Sequence, residues 1–294
     1  MSSIRPSTFS IVAADPVAGE IGVAVQSRFL AVGAVAPWLA SDAGAVATQA
    51  WANTSYGPRG LELLRRGLAP EAVVRELTEA DDDRQERQLG VVALDGRSAT
   101  YTGSRCMDWA GGVAGDGFAA QGNILAGPAV VDAMAKAFAG SNGALADRLL
   151  AALAAGQLAG GDRRGQQSAA LLVGKPKGGY GGFNDRFIDL RVDDHVAPID
   201  ELARLLELHK LYFFAAAPGD VLAVDDALGT ALVALLAEVG ALEPSDGAGF
   251  GDVARTALVR FMHRENLEGR VRDDGTIDRQ TLEYLRSAAR ERRR

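Results

Sequence analysis

The period of apolar and polar positions changes several times along the chain, and each change predicts an element. Over residues 8–14 (TFSIVAA) side chains alternate, so Thr8, Ser10 and Val12 share one strand face and Phe9, Ile11 and Ala13 the other. In residues 20–27, Ile21, Val23 and Val25 alternate with Gly22, Ala24 and Gln26. The intervening Asp15-Pro16-Val17-Ala18-Gly19 has turn chemistry, which makes the two runs a hairpin. Residues 31–36 and 44–50 continue the pattern, and an antiparallel meander rich in small residues is expected. The spacing then becomes helical through Leu61, Leu64 and Leu68, and again through Val73, Val74 and Leu77 with Pro70 in a first turn. The acidic run Asp81-Asp82-Asp83 reads as a solvated loop. Strands return at 89–94, 98–102, 117–121, 168–173 and 186–192. Two helices, along Val131–Phe138 and Leu145–Leu153, interrupt them, and an amphipathic helix covers 199–212.

Strands that arrive as consecutive hairpins disfavour βαβ winding. They predict an α+β fold with helices on the outer faces of antiparallel sheets. Beyond Pro218-Gly219-Asp220 the strand pattern stops. Residues 221–294 read as three helices near 224–239, 250–265 and 278–292, the last with Asp278 as its N-cap. The expected division is 1–217, with 1–7 as an extension or propeptide, and a small all-α domain at 218–294.

A net charge of -7 offers no general surface for nucleic acid or anionic membrane. No apolar run of about 18 residues suggests a membrane span, and MSSIRPSTFS lacks the apolar stretch of a signal peptide. With one cysteine, Cys106, no internal disulfide can form, so a cytoplasmic protein is expected. His195, His209 and His263 show no metal-ligand spacing, and neither a metal nor an organic cofactor is expected. Phosphate-loop, dinucleotide and Gly-x-Ser-x-Gly signatures are missing. Cys106 reads as a packed thiol, and the charged run Asp189 to His195 as a salt-bridged strand edge.

What remains is Thr8. A Thr hydroxyl is a weak nucleophile until a base takes its proton. Were Thr8 the first residue, its own α-amine, with a pKa of about 7.7–8.0, would be that base. Removal of residues 1–7 is the condition.

The segments TFSIVAADPVAGEIGVAVQSRFLAVGAV, ATQAWANTSYGPRGLELL, AAQGNILAGP, RRGQQSAALLV and GGYGGFNDRFIDLRVDDH closely resemble the domain of unknown function 1028 family, which is placed with the N-terminal-nucleophile (Ntn) hydrolases. The resemblance spans roughly residues 8–212. It implies a four-layer αββα sandwich and places the family's Thr at Thr8; the function expected from this is an amidohydrolase that cleaves a C–N bond in a small amide or ureide, with Thr8 as nucleophile. Asn123 and Asn53 are then the candidates for oxyanion support. Ser10, Thr48, Gln49, Tyr56, Gln121, Arg164, Gln167, Ser168 and Asp185 are the candidate substrate-binding residues. Further on, FMHRENLEGRVRDDGTIDRQTLEYL resembles a peptidoglycan-binding-like module. The alternative to an enzyme is a non-catalytic binding or assembly protein that keeps the Ntn fold and uses the helical module for interaction or glycan binding. Sheets rich in Ala and Gly suggest a homodimer.

Overall fold

A computed structural model describes residues 8–243 and 249–293. The chain divides into two compact units, Met1–Leu205 and Leu206–Arg294. The first opens with the hairpin β1 (Thr8–Asp15) and β2 (Glu20–Ser27), then β3 (Pro37–Ala40) and β4 (Gly44–Ala50). Helices α1 (Tyr56–Arg65) and α2 (Pro70–Glu79) follow, then β5 (Arg87–Ala93), β6 (Ser98–Thr102), β7 (Gly111–Gly115) and β8 (Phe118–Asn123). A second helix pair, α3 (Ala129–Ala139) and α4 (Leu145–Leu158), precedes β9 (Ser168–Gly174), β10 (Arg186–Val192) and α5 (Pro198–Phe213).

These strands form two antiparallel sheets, one in the order β10-β9-β2-β1-β8-β7 and one in the order β3-β4-β5-β6. The twofold alternation decides which face each side chain joins. Val12, Ala14, Ile21, Val23 and Ala119 of the larger sheet meet Ala45, Ala47 and Val92 of the smaller one in a dry inter-sheet core. The opposite face of the larger sheet carries the fully buried Phe9 and Ile11, and α3 and α4 pack over it. On the outer face of the smaller sheet, Val46, Leu89 and Val91 pack with Leu61 and Leu64 of α1 and Val73 and Leu77 of α2. The layers of this unit are therefore helix pair, sheet, sheet, helix pair.

In three places the structure departs from the pattern reading. Residues 32–34 form a 3-10 turn rather than a strand, because Ala31 sits in the left-handed region at φ 52° and the chain becomes extended only at Pro37. The strand β7 has no side chain larger than Val113, so hydrophobic alternation does not announce it; it exists through its ladder to β8. Asp81 is not a solvated loop residue. Its side chain is only 9% exposed and is paired to Arg87.

The second unit contains β11 (Val221–Ala223), α6 (Asp226–Glu238), α7 (Asp252–Arg264), β12 (Thr276–Asp278) and α8 (Arg279–Arg292). The three expected helices are present, but the unit is not wholly helical: β11 and β12 pair antiparallel, three residues each, too short for periodicity to reveal. Leu232, Leu236, Phe261, Leu282 and Leu285 form its core. Asp278 caps α8 as expected, accepting from Thr281 N at 3.0 Å. Among the described residues no helix is long and apolar enough to cross a membrane.

Candidate functional site

Strand register builds the site. Thr8 heads β1 and pairs with Asn123 on one side and Ser27 on the other, and Ser27 pairs with Ser168. Four adjacent strands thus place Asn123, Thr8, Ser27 and Ser168 in one row on the face toward the smaller sheet. Across from them, Gln49, Gln88 and Thr102 form a row of their own on β4, β5 and β6. The end of the inter-sheet layer nearest Thr8 is therefore lined by hydroxyls and carboxamides.

Buried polar groups need partners, and here they form a continuous chain. Gln121 Nε2 donates to Ser10 Oγ at 2.6 Å, and Ser10 Oγ donates to Gln49 Oε1 at 2.5 Å. Gln49 Nε2 donates to Gln88 Oε1 at 2.8 Å. Gln88 Nε2 then donates to Gly122 O at 2.7 Å, Thr102 Oγ1 at 2.9 Å and Gly111 O at 3.2 Å. Asn123 Nδ2 joins at Gln88 Oε1, 3.0 Å away, and lies 3.5 Å from the carbonyl oxygen of Thr8. The Thr8 hydroxyl itself donates to Ser27 Oγ at 3.1 Å. Gly90 makes room for this packing: a Cβ there would stand 2.1 Å from Gln121 Oε1. Thr8 is 1% exposed and Ser10, Gln88, Gln121 and Ser168 are fully buried.

The network contains no charge, so it places uncharged donors and acceptors around Thr8. The charges stand in a separate cluster. Asp81 accepts from Arg87 Nε at 2.9 Å, Tyr56 OH at 2.9 Å and Asn53 Nδ2 at 3.0 Å. Burial alone would raise the Asp81 carboxyl, but these three donors outweigh it and hold the group well below the usual carboxylate range. Burial, aided by Asp81, pushes the Tyr56 phenol far above its ordinary value.

The structure therefore gathers some of the candidates and scatters others. Thr8, Ser10, Gln49, Gln121 and Asn123 share the polar network, and Ser168 lies in the Thr8 row, accepting from Val32 N at 3.1 Å and donating to Phe29 O at 2.5 Å. Asn53 lies outside this network: its amide nitrogen donates to Asp81, and its oxygen accepts from Ser55 N and Oγ. Thr48 points to the other face of β4 and donates to Asn53 O, and Tyr56 belongs to the Asp81 cluster. Gln167 turns to Asp194 at 3.0 Å, while Arg164 leans on the buried carboxylate of Asp162. Asp185 is not brought together with the others. It is bound by Ser41 Oγ and by Lys177 N at the far end of β9, a strand length of about 20 Å from Ser168.

Sequence reasoning missed Gln88 and Ser27. Gln88 stands at the start of β5, and only the pairing with Gln49 shows that it faces inward. Beside Asn123 lies a crevice bounded by Ala50, Trp51, Cys106, Met107 and Ile124. Its free volume of about 10 Å³ is what one water requires. Ala50 and Ile124 adopt left-handed φ values of 63° and 53°, which a β-branched residue such as Ile124 rarely does. Cys106 donates to Arg87 O at 3.3 Å, and burial pushes its thiol up to about 11. No group of three or more His, Cys, Asp or Glu among the described residues is placed to hold a metal ion.

Comparison with known proteins gives residues 8–202 a family: they match "Family of unknown function (DUF1028)". Residues 212–285 match "Putative peptidoglycan binding domain". The crystal structure of protein SPO2555 from Silicibacter pomeroyi, itself assigned to DUF1028, is similar at 37% identity and a TM-score of 0.64, covering 69% of this chain and 89% of that one. No curated protein matches.

Proposed function

The chain belongs to the DUF1028 family, whose description carries no activity, and we propose that this member is an Ntn-type amidohydrolase acting on a small amide or ureide. The observation that carries the reading is the position of Thr8. It is the first residue of a central strand, its hydroxyl lies in a row of neutral polar groups between two packed sheets, and helix pairs cover the outer faces; this order of layers supports an Ntn-type sandwich.

Cleavage of the Ser7–Thr8 bond frees the α-amine. The neutral amine takes the proton from Thr8 Oγ1, and the oxygen adds to the substrate carbonyl. Asn123 Nδ2, which donates to Gln88 Oε1 and lies 3.5 Å from the Thr8 carbonyl oxygen, turns in this reading to support the developing oxyanion. The α-ammonium returns its proton to the leaving nitrogen as the C–N bond breaks, which leaves an ester on Thr8. Water then adds to that ester with the amine again as base, and the carboxylic acid departs. Ser27 orients the hydroxyl through the 3.1 Å bond. The left-handed Ile124, next to Asn123, and the left-handed Ala50, which lines the same crevice, support the reading, since backbone strain collects at functional sites.

One observation favours a second reading, a binding or assembly protein: Thr8 is 1% exposed. Intact mass separates the two. Loss of residues 1–7, with hydrolysis of a panel of small amides and ureides that Thr8→Ala abolishes, supports the enzyme. A full-length chain, or hydrolysis indifferent to Thr8→Ala, refutes it. The second unit, through its match at 212–285, is read as an interaction module.

A further inference from the structure

A cavity of about 370 Å³ lies wholly within the second unit, among residues 250–277. That size admits a small organic ligand. Its floor is apolar, made by Leu258, Met262, Val271 and Ile277, with Phe250 at the side. The frame is held firmly. Arg270, with a side chain 5% exposed, donates to Asp278 Oδ1 at 2.7 Å, Gln280 Oε1 at 2.7 Å, Phe214 O at 2.9 Å, Lys210 O at 3.0 Å and Leu211 O. Its guanidinium is thus committed to the fold and it offers the cavity its stem. Arg272 is likewise held by Thr276 Oγ1 at 2.6 Å and Asp274 Oδ2 at 2.8 Å.

Two charges in the lining differ from these. Arg255 and Asp273 both border the cavity, and among the described residues neither side chain has a hydrogen bond or ion pair. They do not pair with each other either, so the cavity lining carries one exposed cation and one exposed anion beside its apolar residues. The hydroxyls in the lining are occupied: Thr256 donates to Asp252 O at 2.8 Å, and Thr276 is bound to Asp274 and Arg272. A saccharide, which needs many free donors and acceptors, finds few here. A ligand with opposite charges at its two ends and an apolar body finds all three of its needs met.

We infer that this cavity binds a short apolar peptide as its zwitterion, with the C-terminal carboxylate on Arg255, the N-terminal ammonium on Asp273 and an aliphatic side chain on the floor. The inference is independent of any chemistry at Thr8.

Calorimetric titration of the full chain with leucyl-leucine, its N-acetylated and C-amidated forms, and an N-acetylglucosamine tetramer tests it. The dipeptide binds, and Arg255→Gln and Asp273→Asn each weaken it at least about 10-fold. The amidated form is indifferent to Arg255→Gln and the acetylated form to Asp273→Asn. Neither side chain holds the fold, so both variants keep the wild-type melting temperature. Three results overturn the inference: no dipeptide binding by the wild type, binding that neither substitution changes, or tetramer binding that either substitution weakens.

Discussion

The two ends of the inter-sheet layer are built from the same strands and differ completely in chemistry. At one end Val12, Ile21, Val23, Ala45, Ala47 and Val92 pack as a dry core. At the other, two to four residues along the same strands, Thr8, Ser10, Gln49, Gln88, Gln121 and Asn123 bury amides and hydroxyls. Apolar packing of similar volume is often as stable as a satisfied polar network or more so. Stability alone therefore does not account for the polar end; under the proposed function it supplies aligned donors around one hydroxyl. The apolar end sets the distance between the sheets, and the polar end uses it.

The largest effect that sharpens this contrast is Thr8→Ala. It is expected to lower amide hydrolysis by at least about 10³-fold, since the nucleophile acts as part of a unit, while urea unfolding moves little. Hydrolysis within threefold of wild type would erase the functional distinction between the ends. Next comes Gln88→Ala, which strands the Gln49 and Asn123 amides and the Gly122 carbonyl. A loss of about 3–5 kcal/mol is expected, read as a lower urea midpoint; a loss under about 1 kcal/mol would mean that the network is not a cooperative unit. At the dry end, Ile21→Val removes one methylene and should cost about 1 kcal/mol with kcat/KM unchanged.

How much of this was legible beforehand depends on whether a signal was local. The hairpin of β1 and β2 shows in its alternation, and so does the inward direction of Thr8 and Ser10. Gln88 does not show, because its role follows from lying opposite Gln49, 39 residues away in sequence. The partner of Asn53 was hidden for a similar reason. That partner, Asp81, sits in a run of three aspartates that composition marks as solvent-facing, yet only Asp82 and Asp83 are exposed. The strand β7 and the ribbon of β11 and β12 escaped because backbone pairing, not side-chain pattern, defines them.

The smallest expected effect is at Cys106, beside the polar end but outside its network. Cys106→Ala should leave hydrolysis unchanged. With the thiol pushed up to about 11 by burial, alkylation by iodoacetamide should be slow at neutral pH and accelerate as pH rises toward that value. The thiol of the unfolded chain ionises near about 8.5. The Cys106 contribution to stability is therefore full below that pH and is lost as pH rises through about 11. Fast alkylation at neutral pH would instead make Cys106 a rival nucleophile.

The most direct test of the central claim is covalent trapping. Purified protein is treated with a β-lactone, which acylates an activated hydroxyl by ring opening without loss of atoms, and the adduct is mapped by peptide mass spectrometry. The account predicts a single adduct of the full lactone mass on a peptide that begins at Thr8, absent in Thr8→Ala. An adduct on Ser10, Ser168 or Cys106, or an unmodified Thr8 still joined to Ser7, would contradict it.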